Sequence, residues 1–257
     1  MDTDTKLFNP LFPSAEMAVQ VIYRISDGGN AKEKLKNASK WNCLENSIRI
    51  FGKENMHLFA DNCREETLVM IQKLGLNPLV ISLGNAMSWR HAAQYAMDFF
   101  PGNQAVYLLE DDYLHLPSAP SALEEGLGIA DYVTLYDHPD KYLSYGMEGG
   151  NNPYIENNAE KTRVWLGPGN HWKQTNSTTM TFCTRVKTLK EDWPVWQEFT
   201  SKGFPDDFGA FQFLQGIGNW ENKLFGKKRI LISSIPGLST HTETAWLSPL
   251  TNWDYIA

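Results

Sequence analysis

The first 112 residues alternate between short apolar, β-branched runs and amphipathic stretches, and this alternation constrains the fold more than any other feature of the chain. Residues 18–26 read as a strand that runs into an Asp27-Gly-Gly-Asn30 turn signal. Trp41, Leu44, Ile48 and Phe51 fall at helical spacing over 39–51, with Gly52 at the stop position. Residues 56–61 give a second strand ending at Asp61, and 64–74 a helix with an acidic first turn before Gly75. Residues 78–82 are the third strand. A helix follows with Trp89, Ala92, Ala93, Ala96 and Phe99, and with Asn85 or Ser88 as its expected N-cap. The fourth strand, 105–109, closes the series. Strand–helix repetition of this kind predicts an α/β fold with a mostly parallel, Rossmann-type central sheet built through right-handed crossovers.

The fourth strand ends abruptly in Glu110-Asp111-Asp112. Ligands of open α/β sheets sit outside the carboxyl ends of the strands, so acids at this edge are placed to meet one. If the strand pleat continues through them, Glu110 and Asp112 point to one side and Asp111 to the other. Two carboxylates on one side suit a hard divalent cation. The plainer alternative is a solvated strand end or a turn cap. Against it stands the switch from apolar residues to three acids, which repel one another unless a cation or solvent relieves them.

Composition excludes several classes. The chain has 257 residues, a net charge of −7 and no basic stripe, which argues against nucleic acid as a partner. Cys43, Cys63 and Cys183 are widely spaced and odd in number, forming neither a metal motif nor a disulfide framework, which favours a reducing compartment. The sequence shows no signal-peptide pattern and no transmembrane segment. The expected location is cytoplasmic, or the host cytoplasm were the source viral. A dinucleotide fingerprint and a P-loop are both absent.

The pattern loosens after residue 136. Residues 117–120 start a short helix and 132–136 form a strand; 137–160 are rich in Gly, Asn, Pro and Tyr without periodicity. Residues 162–166 and 177–183 read as strands flanking a Gly-rich 167–171 turn, as an antiparallel pair. Residues 186–200 are helical with Pro194 at a start or break, Asp206-Asp207 leads into another helix, and 230–233 is a late strand. The tail from 236 gives no clear element. We expect one domain over 1–257, with a regular α/β ligand platform in its first half (1–136) and an irregular, aromatic-rich second half (137–257).

A βαβαβα platform followed by Leu108-Leu109-Glu110-Asp111-Asp112 resembles the GT-A class of nucleotide-sugar glycosyltransferases, with these acids in place of its DxD motif. The resemblance covers residues 18–136. It implies a metal-dependent, hexosyltransferase-like enzyme using Mn²⁺ or Mg²⁺, a UDP- or GDP-sugar donor and a glycan or other hydroxyl acceptor. Asp112 would be the direct metal ligand, Glu110 a second or a ribose contact, and Asp111 structural or in contact with the nucleotide sugar. His241, returning from near the C-terminus as in several such families, would be the third ligand, and its presence leans the expectation towards retention of the anomeric centre. Arg24, Asp61 and Asn85 would line the nucleotide pocket. Arg90 would face the diphosphate or pair with Glu110. Asp206 or Asp207 would act as base or steady the transition state, although Pro-Asp-Asp is equally a helix-start signal. One or two of Tyr142, Tyr145, Trp165, Trp172 and Trp246 would stack on a sugar.

Other chemistries fit less well. A haloacid-dehalogenase phosphatase needs an aspartate nucleophile where Glu110 stands. A sugar nucleotidyltransferase wants a basic Gly-rich loop after the first strand. A non-catalytic carbohydrate- or nucleotide-binding module on the same fold is the remaining alternative.

Overall fold

In the computed structural model of this protein, the residues described are 18–28 and 33–256. The lead-in before residue 18 and positions 29 and 30 of the turn signal lie outside them. The platform has the predicted order: β1 (Gln20–Ser26), α1 (Lys40–Phe51), β2 (Met56–Asp61), α2 (Glu65–Lys73), β3 (Leu79–Ile81), α3 (Asn85–Phe99) and β4 (Ala105–Glu110). After the acids come β5 (Tyr113–His115), α4 (Ala119–Leu127), β6 (Tyr132–Thr134) and the two-residue strands β7 (Ile155–Glu156) and β8 (Ala159–Glu160). The rest comprises β9 (Val164–Leu166), β10 (His171–Gln174), β11 (Phe182–Arg185), α5 (Val186–Glu191), α6 (Trp193–Phe199), α7 (Asp207–Gln215), α8 (Trp220–Phe225), β12 (Leu231–Ile235) and β13 (Ser239–His241).

Nine strands form one mixed sheet in the order β3-β2-β1-β4-β11-β6-β12-β10-β9, so both halves of the chain contribute to it. The β3-β2-β1-β4 portion is wholly parallel, as the crossover helices require. Antiparallel pairing enters where β11 runs against β4 and β6. The expected partnership of 162–166 with 177–183 does not form. β9 pairs instead with β10, part of which had read as turn, and β11 inserts beside β4. Segment 177–183 mixes four hydroxyl residues with Met180, Phe182 and Cys183, a pattern that does not single out a neighbouring strand.

Side chains alternate across the sheet with period two. Val21, Tyr23 and Ile25 of β1 and Tyr107 and Leu109 of β4 pack on the face covered by Leu44 of α1, Ile71 of α2 and Leu123 of α4. Ile22, Val106 and Leu108 pack on the other, against Trp89, Ala92, Ala93 and Ala96 of α3 and Trp196, Phe211 and Leu214 of α6 and α7. Burial on both faces is why these strands read as continuous apolar runs. The alanines let α3 lie close to the sheet. Helix α1 is capped by Ser39, whose hydroxyl accepts from the Asn42 N–H, and it ends at Gly52, where φ is +82° and a β-carbon would be disfavoured. The N-cap of α3 is Gly84, not Asn85 or Ser88, because Asn85 already lies inside the helix and the Ser88 hydroxyl turns towards Arg24.

Candidate functional site

The strand pleat does not carry through the acids. β4 stops at Glu110, Asp111 and Asp112 form a turn, and β5 begins at Tyr113. Each acid therefore meets a different partner. Glu110 sits beside Arg24 in the parallel β1–β4 register and accepts from its guanidinium at 2.9 Å. Asp111 Oδ2 accepts from the Ser26 N–H at 3.0 Å, tying the turn to the end of β1. Asp112 Oδ2 lies 3.0 Å from His241 Nε2 and 3.2 Å from Lys34 Nζ. β13 delivers that histidine: it pairs antiparallel with β5 and sets His241 opposite Tyr113, while the Thr242 N–H donates to the Asp112 carbonyl. A residue near the C-terminus thus returns to the acid turn through three residues of sheet.

Burial favours the protonated form of both Asp111 and Asp112. For Asp111 that effect, joined by the charge of Asp112, prevails over the Ser26 N–H and Lys40 and raises its pKa. For Asp112 burial is overcome by the His241 hydrogen bond and charge and by Lys34, which hold it well below the usual carboxylate range. As pH falls below neutrality Asp111 takes up a proton first, while Asp112 stays ionised well into acid.

That chemistry suits a divalent ion. Cis ligands about 2.1 Å from an octahedral cation stand roughly 3.0 Å apart, and such ions keep one or two protein ligands with water and phosphate oxygens completing the shell. Asp112 Oδ2 and His241 Nε2 lie 3.0 Å apart as a hydrogen-bonded pair, and to hold such an ion they would have to give up that bond and the one from Lys34. Glu110 does not join them; its Oε1 is held by Arg24. Among the described residues no group of three or more His, Cys, Asp or Glu is arranged to hold a metal ion.

No family model and no curated protein matches this sequence. Solved structures with a similar course of chain include the galactosyltransferase LgtC in complex with donor and acceptor sugar analogues (13% identity, 84% of this chain and 73% of that one, TM-score 0.39). The inositol-1-phosphate CTP transferase from T. maritima is another (12% identity, 85% and 86% covered, TM-score 0.42). An active-site mutant of LgtC is a third (12% identity, 84% and 72% covered, TM-score 0.39). At these scores no residue assignment rests on the likeness.

The remaining predicted residues divide. Arg24 is enclosed by protein acceptors: beyond Glu110 it donates to the Asn85 carbonyl at 3.1 Å and the Ser88 hydroxyl at 3.1 Å, so it orients Glu110 and pins the start of α3. Asp61, at the end of β2, accepts from the Leu83 N–H at 2.7 Å and the Gly84 N–H at 3.3 Å and closes the β3–α3 loop. Arg90 does not pair with Glu110, whose partner is Arg24. It lies two residues beyond Ser88, about 200° round the helix, and bonds the Thr200 hydroxyl at 2.7 Å and the Gln197 carbonyl of α6.

Asp206 and Asp207 take separate parts. Asp206 is the N-cap of α7, accepting from the Gly209 N–H at 2.8 Å. Asp207 lines a cavity of about 250 Å³ with His138, Lys141, Asn152, Ser177 and Phe208. Burial raises its pKa to about 7, against the Phe208 N–H and with help from the charge of Glu110. The cavity adjoins the acid turn: Thr179 in its wall hydrogen-bonds the Tyr113 hydroxyl at 2.8 Å. Of the five aromatics proposed for sugar stacking, Trp172 is wholly buried and its indole N–H donates to Glu125, while Tyr142 is occupied by Lys173.

Sequence reasoning missed Lys34 and Lys141. Lys141 is buried beside Asp207's cavity and donates to Asn176 Oδ1 and Ser177 Oγ, both at 2.7 Å. Neither lysine lies in a motif. Only the late return of the chain in β13 and the packing of 176–179 reveal them.

Proposed function

We propose that this chain is a metal-assisted glycosyltransferase that moves a sugar from a nucleoside-diphosphate donor to a hydroxyl acceptor. The observation that carries the reading is the union of an ionised Asp112 with His241 at the carboxyl edge of parallel strands, next to a cavity holding a carboxyl that titrates near neutrality. Asp112 and His241 would hold Mn²⁺ or Mg²⁺, which when bound neutralises charge on the departing diphosphate. Glu110, fixed by Arg24, would face the donor's ribose or sugar. Were the product inverted, Asp207 would take the acceptor's proton, since a base works best when its pKa lies near the working pH. Lys141 and Ser177 would orient the acceptor. A UDP- or GDP-hexose is the expected donor.

The test is a thermal-shift screen of nucleoside diphosphates with Mn²⁺, followed by nucleotide-sugar hydrolysis. Stabilisation that requires both metal and nucleotide, and that is lost in Asp112→Ala, supports the reading. A shift that survives Asp112→Ala, or none with any nucleoside diphosphate, overturns it. Binding without turnover of any nucleotide sugar would assign the fold to a binding module instead. An inverted product anomer would make Asp207 the base. A retained one, the outcome the sequence resemblance leans towards, would assign Asp207 to steadying the transition state.

A further inference from the structure

Helix α8 carries an apolar surface that no part of the site uses. Trp220, Leu224 and Phe225 are 68%, 65% and 64% exposed within one six-residue helix. Single exposed apolar residues are ordinary, but three large ones in a row of this length mark a contact surface. Trp220 and Leu224 are four residues apart and share a helix face. Their setting is basic: residues 220–228 contain Lys223, Lys227 and Lys228 against one acid, Glu221, in a chain whose net charge is −7. Lys228 reaches back to the Lys223 carbonyl at 2.7 Å, which folds the following loop against the end of the helix and keeps the lysines beside the apolar residues. Lys227 is 41% exposed but is shared with Asp192 Oδ1, 4.0 Å away, and the Glu191 carbonyl, to which it donates at 3.3 Å, so Lys223 is the principal cation of the tip.

We propose that this tip docks on an anionic lipid surface, with Trp220, Leu224 and Phe225 entering the headgroup region and the lysines meeting lipid phosphates. Aromatic and aliphatic residues ringed by lysine are the composition of an interfacial anchor. Each lysine near an anionic bilayer contributes about fivefold to binding, ~1 kcal/mol. A protein partner with an acidic apolar groove would need a helix long enough to fill it, and α8 has under two turns. The tip also lies near the acceptor cavity. A β-carbon on Gly218 would stand 2.8 Å from the Tyr154 hydroxyl, and the Tyr154 ring stacks on Phe208, which lines the cavity with Asp207. Docking through α8 would bring that cavity towards the membrane. No helix among the described residues is long and apolar enough to cross a membrane, so attachment would be at the surface.

Flotation with lipid vesicles tests this without any sugar nucleotide, so its result is independent of the transferase reading. The full chain should float with mixed phosphatidylcholine–phosphatidylglycerol vesicles at low salt and much less with phosphatidylcholine alone. The triple variant Trp220→Ser, Leu224→Ser, Phe225→Ser should lose at least about tenfold in binding. Lys223→Gln should lose about fivefold and flatten the salt dependence. Both variants alter exposed side chains and should melt with the wild type, which a circular-dichroism scan checks. No flotation with the anionic vesicles, or flotation of the serine variant equal to wild type, overturns the proposal. So does equal binding to neutral and anionic vesicles.

Discussion

Residues 20–110 and residues 130–256 fill their interiors with different material. In the first, the buried side chains of β1, β2 and β4 are apolar apart from a few, Arg24 and Asp61 among them. The second buries Asp137, Lys141, Lys173 and Asp192 together with a long series of threonines and serines, including Thr175, Ser177, Thr178 and Thr181. An apolar core holds its register through pattern and can be read from one strand at a time. A polar core holds only if each group finds its partner, and those partners are far apart in sequence. The donor side of the proposed site therefore stands on rigid strand ends, and the acceptor side on a hydrogen-bonded lattice of loops.

The sharpest way to break this comparison is Asp207→Asn, which alters the acceptor side and leaves the acid turn alone. A lost base reduces turnover by about 10²–10⁴-fold, while metal-dependent nucleotide binding, read by thermal shift, should persist. The wild-type rate should rise with pH through about 7, because the carboxyl must be ionised to accept a proton. Stability should move the opposite way. Asp207's pKa is raised on folding, so its contribution is complete below the unfolded value near 4 and is lost as pH rises through about 7. Asp207→Asn should remove that slope in denaturation midpoints followed across the same range. An unchanged slope would move the titrating group elsewhere.

Lys173→Met probes the polar core itself. Lys173 Nζ lies 2.8 Å from Asp137 Oδ1 and 3.7 Å from Glu160 Oε2, with all three side chains buried, and its ammonium stands 4.3 Å from the centre of the Tyr142 ring. Removing one partner of a buried pair costs about 3–5 kcal/mol, because the other charge is left uncompensated. Urea unfolding should report that loss, and adding Asp137→Leu should recover part of it. Full additivity of the two changes would show that the pair is not coupled.

The same contrast explains what could be read beforehand. The order of elements to β4 and the placing of the acids followed from periodicity, glycine stops and the abrupt end of the fourth strand. Asp112 and His241 were named as one set from a resemblance, and β13 is the element that joins them. Residue-level detail failed where it depended on packing. Arg90 faces α6 because of its angular position relative to Ser88, and Glu110 answers to Arg24 because the β1–β4 register sets them side by side. Strand β10 was hidden because adjacent Trp172 and Lys173 are both buried, the lysine against Asp137, which breaks the usual apolar–polar alternation.

Arg24→Met tests the donor side by the same measurement with a smaller expected effect, about 2–3 kcal/mol. Glu110 keeps 28% of its side chain in contact with solvent, so its charge is better tolerated unpaired than that of Asp137. A loss as large as that from Lys173→Met would mean that the two halves depend equally on buried ion pairs, and the comparison would fail.

The smallest effect should come from Asp206→Ala. Its carboxylate caps α7 by accepting from the Gly209 N–H at 2.8 Å, and losing an N-cap costs about 1 kcal/mol. The helix it caps also carries Asp207, Gln212 and Gln215, and both glutamines donate to the Asn176 carbonyl at 2.8 and 3.0 Å. Those anchors hold α7 against the loop independently of its cap, so turnover should stay within about twofold while the unfolding midpoint falls. Two adjacent aspartates would then give opposite results, one on rate and one on stability. A large fall in turnover with Asp206→Ala, at unchanged nucleotide binding, would transfer the base role from Asp207 to its neighbour, and would mean that the cap opens when the acceptor binds.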